Sequence, residues 1–166
     1  LLLGDTLYRS HCGKTCTLQL IEEYERYNKL TVSIHKIPAQ DVSHYGILSG
    51  VWEDKEKRIL NVSAMTEKPK LSYAEEYLAV TETDGSKGYY SVFGQYILTP
   101  DVYDQLADDI READEKGDMT HEIELTTALE AVRKKNGMIG VRINGEMFDM
   151  GNAMALRNTV IHFPEA

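Results

Sequence analysis

The run GYYSVFGQYIL (Gly88–Leu98) is dense in aromatic and β-branched side chains and carries no charge, and the next residues, TPDVYDQLADDI, change period at once. Such a run reads as a central strand. Behind it, Thr99 is placed as an N-cap, Pro100 at the first helical position and Asp101 in the first turn, so a helix starts directly where the strand stops.

The rest of the chain repeats this alternation. Cys16, Leu20, Ile21, Tyr24 and Tyr27 recur with helical spacing behind a Thr15 cap. LTVSIHKI (Leu30–Ile37) alternates as a strand, and the segment from Tyr45 to Pro69 predicts a hairpin around the charged turn Asp54–Lys57. Residues 70–87 predict a polar surface excursion, with Asp84-Gly85 as a turn. A helix through Leu125, Ala128, Leu129 and Val132 ends on Lys134, Lys135 and Gly137. MIGVRIN then predicts a strand, and a last helix opens at about Asn152. Strands alternating with helices, plus one hairpin, imply an α/β domain on a mixed sheet. No linker divides residues 1–166, so a single domain is expected.

Composition excludes several classes. A net charge of −9 is wrong for a nucleic-acid binder. No apolar run approaches a membrane span and no signal-peptide pattern opens the chain, so a cytoplasmic protein is expected. Cys12 and Cys16 in HCGKTC lack the spacing of a metal or redox pair and read as two reduced thiols at a helix start. The GKT within that stretch lacks the earlier glycine that a phosphate loop requires, since Tyr8 stands there.

Carboxylates at strand ends carry the candidate chemistry, because ligands of open α/β sheets bind outside the carboxyl ends of strands. Asp5 follows LLLG, and Asp149 follows a second strand run, each with a glycine close by (Gly4, Gly151). Two such aspartates suit Mg²⁺, which takes few protein oxygens and completes its shell with water and phosphate. By spacing alone, two solvated turn residues are the commoner explanation among 27 acidic residues. TEKPK (Thr66–Lys70) sets an acceptor beside a cation at a strand exit, which is either a ligand contact or a surface ion pair. HYGI places Gly46 at the head of a strand, as a close approach or a bulge.

In order, LGDTLY, HYGIL, TEKPK, FGQYILTPDVYDQL, EIELTTAL and FDMGNAMAL resemble the successive motifs of sugar-1-phosphate nucleotidyltransferases, nearest to the bacterial UTP–glucose-1-phosphate uridylyltransferases (UDP-glucose pyrophosphorylases). The resemblance implies part of a Rossmann-like, mixed-sheet nucleotide-diphospho-sugar transferase fold. It also implies transfer of a nucleotidyl group from a nucleoside triphosphate, in this branch UTP, to a sugar 1-phosphate such as glucose 1-phosphate. Residue by residue, Asp5 and Asp149 match the aspartates that hold the catalytic Mg²⁺, Lys68 the cation that meets the sugar phosphate, and Glu67 the acceptor of sugar hydroxyls. Gly46 and Gly94 match glycines whose strands approach the sugar, and Glu122 an acid of the sugar-side loop. Glu67 and Lys68 are adjacent and would point to opposite faces of a regular strand, so both serve one ligand only if the backbone turns as it approaches Pro69 or if the ligand lies across the strand end; the latter is expected, with Gly46 and Gly94 as the floor.

The resemblance has gaps. Thr6 stands where the family often has a second Asp, Thr127 replaces the Asp of L-T-D-A-L, and the stretch before FGQYIL is long. The family's N-terminal glycine-rich G-x-G-T-R-x-x-P loop and base-reading portion have no counterpart, and LLLGD reads as a buried strand well inside such a domain. The chain is therefore expected to be the sugar-phosphate and metal-binding portion of a longer enzyme, inactive by itself, with strand edges that favour aggregation or a homo-oligomer. Two alternatives stay open. One is the same reaction with another base or sugar (a thymidylyl-, cytidylyl- or adenylyltransferase); the other is a non-catalytic binding or assembly module.

Overall fold

The computed structural model describes residues 1–82, 84–117 and 123–163. The chain forms a mixed α/β fold. Its strands are β1 (Thr6–Ser10), β2 (Leu30–Ile37), β3 (Ile47–Trp52), β4 (Ile59–Thr66), β5 (Val80–Thr81), β6 (Lys87–Ile97), β7 (Met138–Arg142) and β8 (Gly145–Asp149). The helices are α1 (Cys16–Tyr27), α2 (Leu71–Tyr73, continued by a π turn over Ala74–Leu78), α3 (Pro100–Lys116), α4 (Leu125–Asn136) and α5 (Ala153–His162), with a 3₁₀ turn over Ala39–His44.

The main sheet runs β2-β7-β4-β3-β6-β5, and β6 also pairs with β2, so the ladder closes on itself. Among the described residues β2–β7 is the one parallel pair of this sheet; its other pairs are antiparallel. Alternation along the strands divides the core. Leu30, Val32, Leu60, Val62 and Met138 pack with Val102 of α3 and with Leu129 and Val132 of α4. Phe93, Ile139 and Val141 pack with Cys16 and Leu20 of α1. A two-stranded ribbon, β1 with β8, stands apart from this sheet.

The helix ends follow local chemistry. The Thr15 hydroxyl accepts from the Leu18 N–H at 3.1 Å, and Asn28 closes α1 in the left-handed region. The Asn152 side chain accepts from Met154 and Ala155 and opens α5. Thr99 precedes α3 as expected, but its hydroxyl makes no capping bond; Pro100 at the first helical position marks the start.

Two expectations are corrected. Leu1–Leu3 do not form a buried strand. Leu3 N–H donates to Gly94 C=O (3.1 Å) and Tyr96 N–H to Leu1 C=O (3.0 Å), which ties them along one edge of β6, while all three side chains stay 40–55% exposed. Nor is residues 70–87 a plain surface excursion. Ala74 and Leu78 are fully buried against Val42, Ile47 and Tyr89, because the π turn puts both on one side of the segment. Behind them Glu82 accepts from the Tyr90 hydroxyl (2.7 Å) and pairs with Lys36 (2.9 Å) and Lys57 (3.5 Å), which ties the excursion to three strands or turns.

Candidate functional site

The ribbon brings together what the sequence separates. Thr6 lies opposite Asp149 and Ser10 opposite Gly145, so Asp5 enters the ribbon at the end where Asp149 leaves it. One tie holds the opposite end of the ribbon and two hold this one. The buried Gln19 of α1 donates to Asn144 C=O (3.2 Å) and accepts from its N–H (2.9 Å), clamping the β7–β8 turn. Thr159 of α5 donates to the Asp149 carbonyl (2.6 Å), and Met150 N–H to the Asp5 carbonyl (2.8 Å). The position a side chain would take at Gly151 lies 3.1 Å from Asp5 Oδ2 and 3.2 Å from Asp149 Oδ1, so both carboxylates flank one point. Thr6 donates to Asp5 Oδ1 (3.2 Å) and Gly151 N–H to Asp149 Oδ1 (2.7 Å), and each carboxylate keeps lone pairs to spare. Among the described residues no group of three or more His, Cys, Asp or Glu gathers as a metal site. Two oxygens from protein suit a hard cation that keeps water and phosphate ligands.

At the exit of β4 the backbone turns. Lys68 has φ +42°, its N–H donates to Tyr45 C=O (3.1 Å), and its ammonium lies 3.7 Å from Glu67 Oε1. Glu67 and Lys68 therefore come together through a turn of the backbone at Lys68, the other of the two possibilities, and not from a straight strand end. Glu67 Oε2 accepts from the Thr126 hydroxyl (2.8 Å) and sits 2.9 Å from the side-chain position of Gly46. A Cβ at residue 46 would displace that carboxylate. An open cleft of about 620 Å³ extends from here along α4, lined among others by Met65, Glu67, Thr126, Glu130 and Lys134.

Gly94 is placed differently from Gly46. Its φ of +74° belongs to an irregularity in the β2–β6 ladder, between Val32↔Tyr96 and Ile34↔Val92. The buried Ser33 hydroxyl donates to Gln95 C=O (3.0 Å) and accepts from Gln95 N–H (3.1 Å), satisfying the backbone that the irregularity frees. Over Gly94 stand the Tyr8 hydroxyl, 2.5 Å from its side-chain position, and Leu3. The expected common floor thus divides: Glu67 covers Gly46, and Tyr8 covers Gly94. Glu122 lies outside the described residues.

Tyrosines connect the two ends. Burial, then the charges of Asp149 and Asp41, pushes the Tyr45 phenol up, and the Tyr45 carbonyl holds the Lys68 N–H. Burial, then the charges of Glu67 and Tyr8, pushes Tyr96 up to about 12. Tyr8 is itself raised, first by burial and further by Asp5. Tyr45 thus meets Asp149 electrostatically at its phenol and Lys68 by a hydrogen bond at its carbonyl. Tyr8, Tyr45, Tyr96 and Thr126 were not singled out from the sequence. Each lies within a quoted motif, Tyr8 in LGDTLY, Tyr45 in HYGIL, Tyr96 in FGQYIL and Thr126 in EIELTTAL, but nothing in the motif marks its side chain as facing the site.

A family model described as nucleotidyl transferase matches residues 1–160. The chain is 30% identical over 153 residues to a provisionally named UTP–glucose-1-phosphate uridylyltransferase of Methanocaldococcus jannaschii, covering 92% of this chain and 46% of that protein. It is 27% identical over 164 residues to UTP–glucose-1-phosphate uridylyltransferase 1 of Streptococcus pyogenes serotype M3, covering 98% and 48%. The chain thus spans about half the length of the curated relatives it matches. A solved UDP-glucose pyrophosphorylase complexed with UDP-glucose superposes with a TM-score of 0.75 at 24% identity, over 98% of this chain and 54% of that one, a likeness of fold.

Proposed function

Since the chain belongs to the nucleotidyl transferase family, we propose that it supplies the metal and sugar-phosphate side of a uridylyltransferase that joins UTP and glucose 1-phosphate. The observation that carries this reading is the convergence of Asp5 and Asp149 on one point beside Gly151; Tyr45, whose phenol feels the charge of Asp149, holds the Lys68 N–H through its carbonyl. A sugar-phosphate oxygen forms a bond to the α-phosphorus of the triphosphate while the α–β bridging bond breaks and pyrophosphate leaves. Such a displacement needs positioning and charge neutralisation rather than a covalent intermediate. Asp5 and Asp149 are the residues that would hold Mg²⁺, which when bound neutralises phosphate charge. Lys68, two-thirds exposed, presents its ammonium to the sugar phosphate. Glu67 accepts from ring hydroxyls with the lone pairs that Thr126 leaves free.

The test is calorimetric titration of the chain with glucose 1-phosphate, with and without Mg²⁺. Binding that strengthens with Mg²⁺ and is lost in both Asp149→Asn and Lys68→Ala is the expected result. Binding indifferent to both substitutions overturns the reading.

A further inference from the structure

Of the two threonines in LTTAL, Thr127 departs from the family's motif, yet only Thr126 reaches the site. Thr127 turns to Glu124, 3.4 Å away. Thr126, in the first turn of α4, donates its hydroxyl to Glu67 Oε2 at 2.8 Å. We propose that Thr126 is a positioning residue that fixes which sugar hydroxyl Glu67 can accept; this deepens the function proposed above and rests on it.

A glutamate's terminal torsion is broad, so a free carboxylate at this place would sweep through many orientations. Here three neighbours restrict it. The Thr126 hydroxyl holds Oε2, and the absent side chain of Gly46 leaves Oε2 room 2.9 Å from that position. Lys68 stands 3.7 Å from Oε1. Of these, Thr126 alone is held by a helix, and α4 packs through Ala128, Leu129 and Val132 into the core. Thr126 can therefore transmit a fixed orientation, whereas the exposed Lys68 cannot. The cleft alongside, lined by Glu67 and Thr126, leaves space for a ring. A site that orients an acceptor toward one hydroxyl disfavours the epimer that places this hydroxyl elsewhere, because the acceptor is then left unpaired.

The experiment compares glucose 1-phosphate with galactose 1-phosphate by calorimetry on the wild-type chain, Thr126→Val, Thr126→Ser, Glu67→Ala and the Thr126→Val/Glu67→Ala double variant, with thermal melts alongside. Thr126→Val is expected to cut the preference between the two sugars about tenfold, the scale of one hydrogen bond to a charged group. Thr126→Ser restores it, and Thr126→Val changes nothing further once Glu67 is Ala. The carboxyl-carbon resonance of Glu67, read without ligand, should move in Thr126→Val and stay in Thr126→Ser. Equal discrimination with Val at 126, an unmoved resonance, or an undiminished effect in the Glu67→Ala background overturns the role of Thr126 alone. A wild-type chain that binds neither sugar phosphate overturns the site's reading, and this role with it.

Discussion

Asp5 and Asp149 meet on either side of Gly151, with carboxylate oxygens 3.1 and 3.2 Å from the place its side chain would occupy. Replacing either aspartate with asparagine leaves one carboxylate for a divalent ion. Each substitution is expected to weaken Mn²⁺ binding, followed by electron paramagnetic resonance, by at least about tenfold. Gly151→Ala is expected to weaken it too, since the added methyl presses on both oxygens; unchanged affinity in all three would show that no ion sits there.

Lys68 has two separable roles. Its φ of +42° costs an L-residue about 1 kcal/mol, and its ammonium lies 3.7 Å from Glu67 Oε1. Lys68→Gly is expected to raise the denaturant midpoint slightly while lowering glucose 1-phosphate affinity more than about tenfold. Lys68→Ala should lose affinity without the gain in stability. Parallel behaviour of the two variants in both measurements would contradict this.

Ser33 serves the β2–β6 irregularity with one hydroxyl that both donates to and accepts from Gln95. Ser33→Ala leaves a buried N–H and a buried C=O without that partner, at a cost of about 2–3 kcal/mol. Equilibrium urea unfolding measures it, and a loss below about 0.5 kcal/mol would mean that the strand rearranges instead.

His35 packs against Phe93 and hydrogen-bonds the Ser91 hydroxyl, and burial pushes its pKa down to about 4. The folded chain therefore binds a proton less readily than the unfolded one, for which the value is about 6.5. The neutral-histidine contribution is complete above pH about 6.5 and is lost as pH falls through the window down to about 4, on the order of 3 kcal/mol in all. Thermal melts at pH 7, 5.5 and 4.5 should show the loss. His35→Gln should flatten this part of the profile, and a wild-type profile already flat between pH 7 and 4.5 would refute it.

What the sequence revealed depended on how local the cause was. Thr15, Pro100, Gly137 and Asn152 bound their helices because a cap needs only a few residues, and the Asp54–Lys57 turn bound its hairpin for the same reason. The mixed α/β class followed from the alternation. The closed ladder did not, since β6 pairing with both β2 and β3 leaves no mark on a single strand's period. At the site, Asp5 and Asp149 could be named from the motifs, but their shared ribbon could not. Lys68 misled because it precedes Pro69, a position that ordinarily keeps the chain extended. Thr126 was hidden beside Thr127: nothing in two identical neighbours says which one faces a carboxylate across the fold.

The β1–β8 ribbon also dictates when the carboxylate pair can exist. Among the described residues it joins the first strand to the last, so the loop it closes contains β2 to β7 and α1 to α4. Contacts of such long sequence separation form late and slowly, after the intervening sheet has been organised. An ion held by Asp5 and Asp149 would bind the completed fold and not a partly folded one. Its affinity would then add to global stability by mass action and raise the melting temperature with concentration. The same pair of residues would report on the reaction and on whether the chain has finished folding.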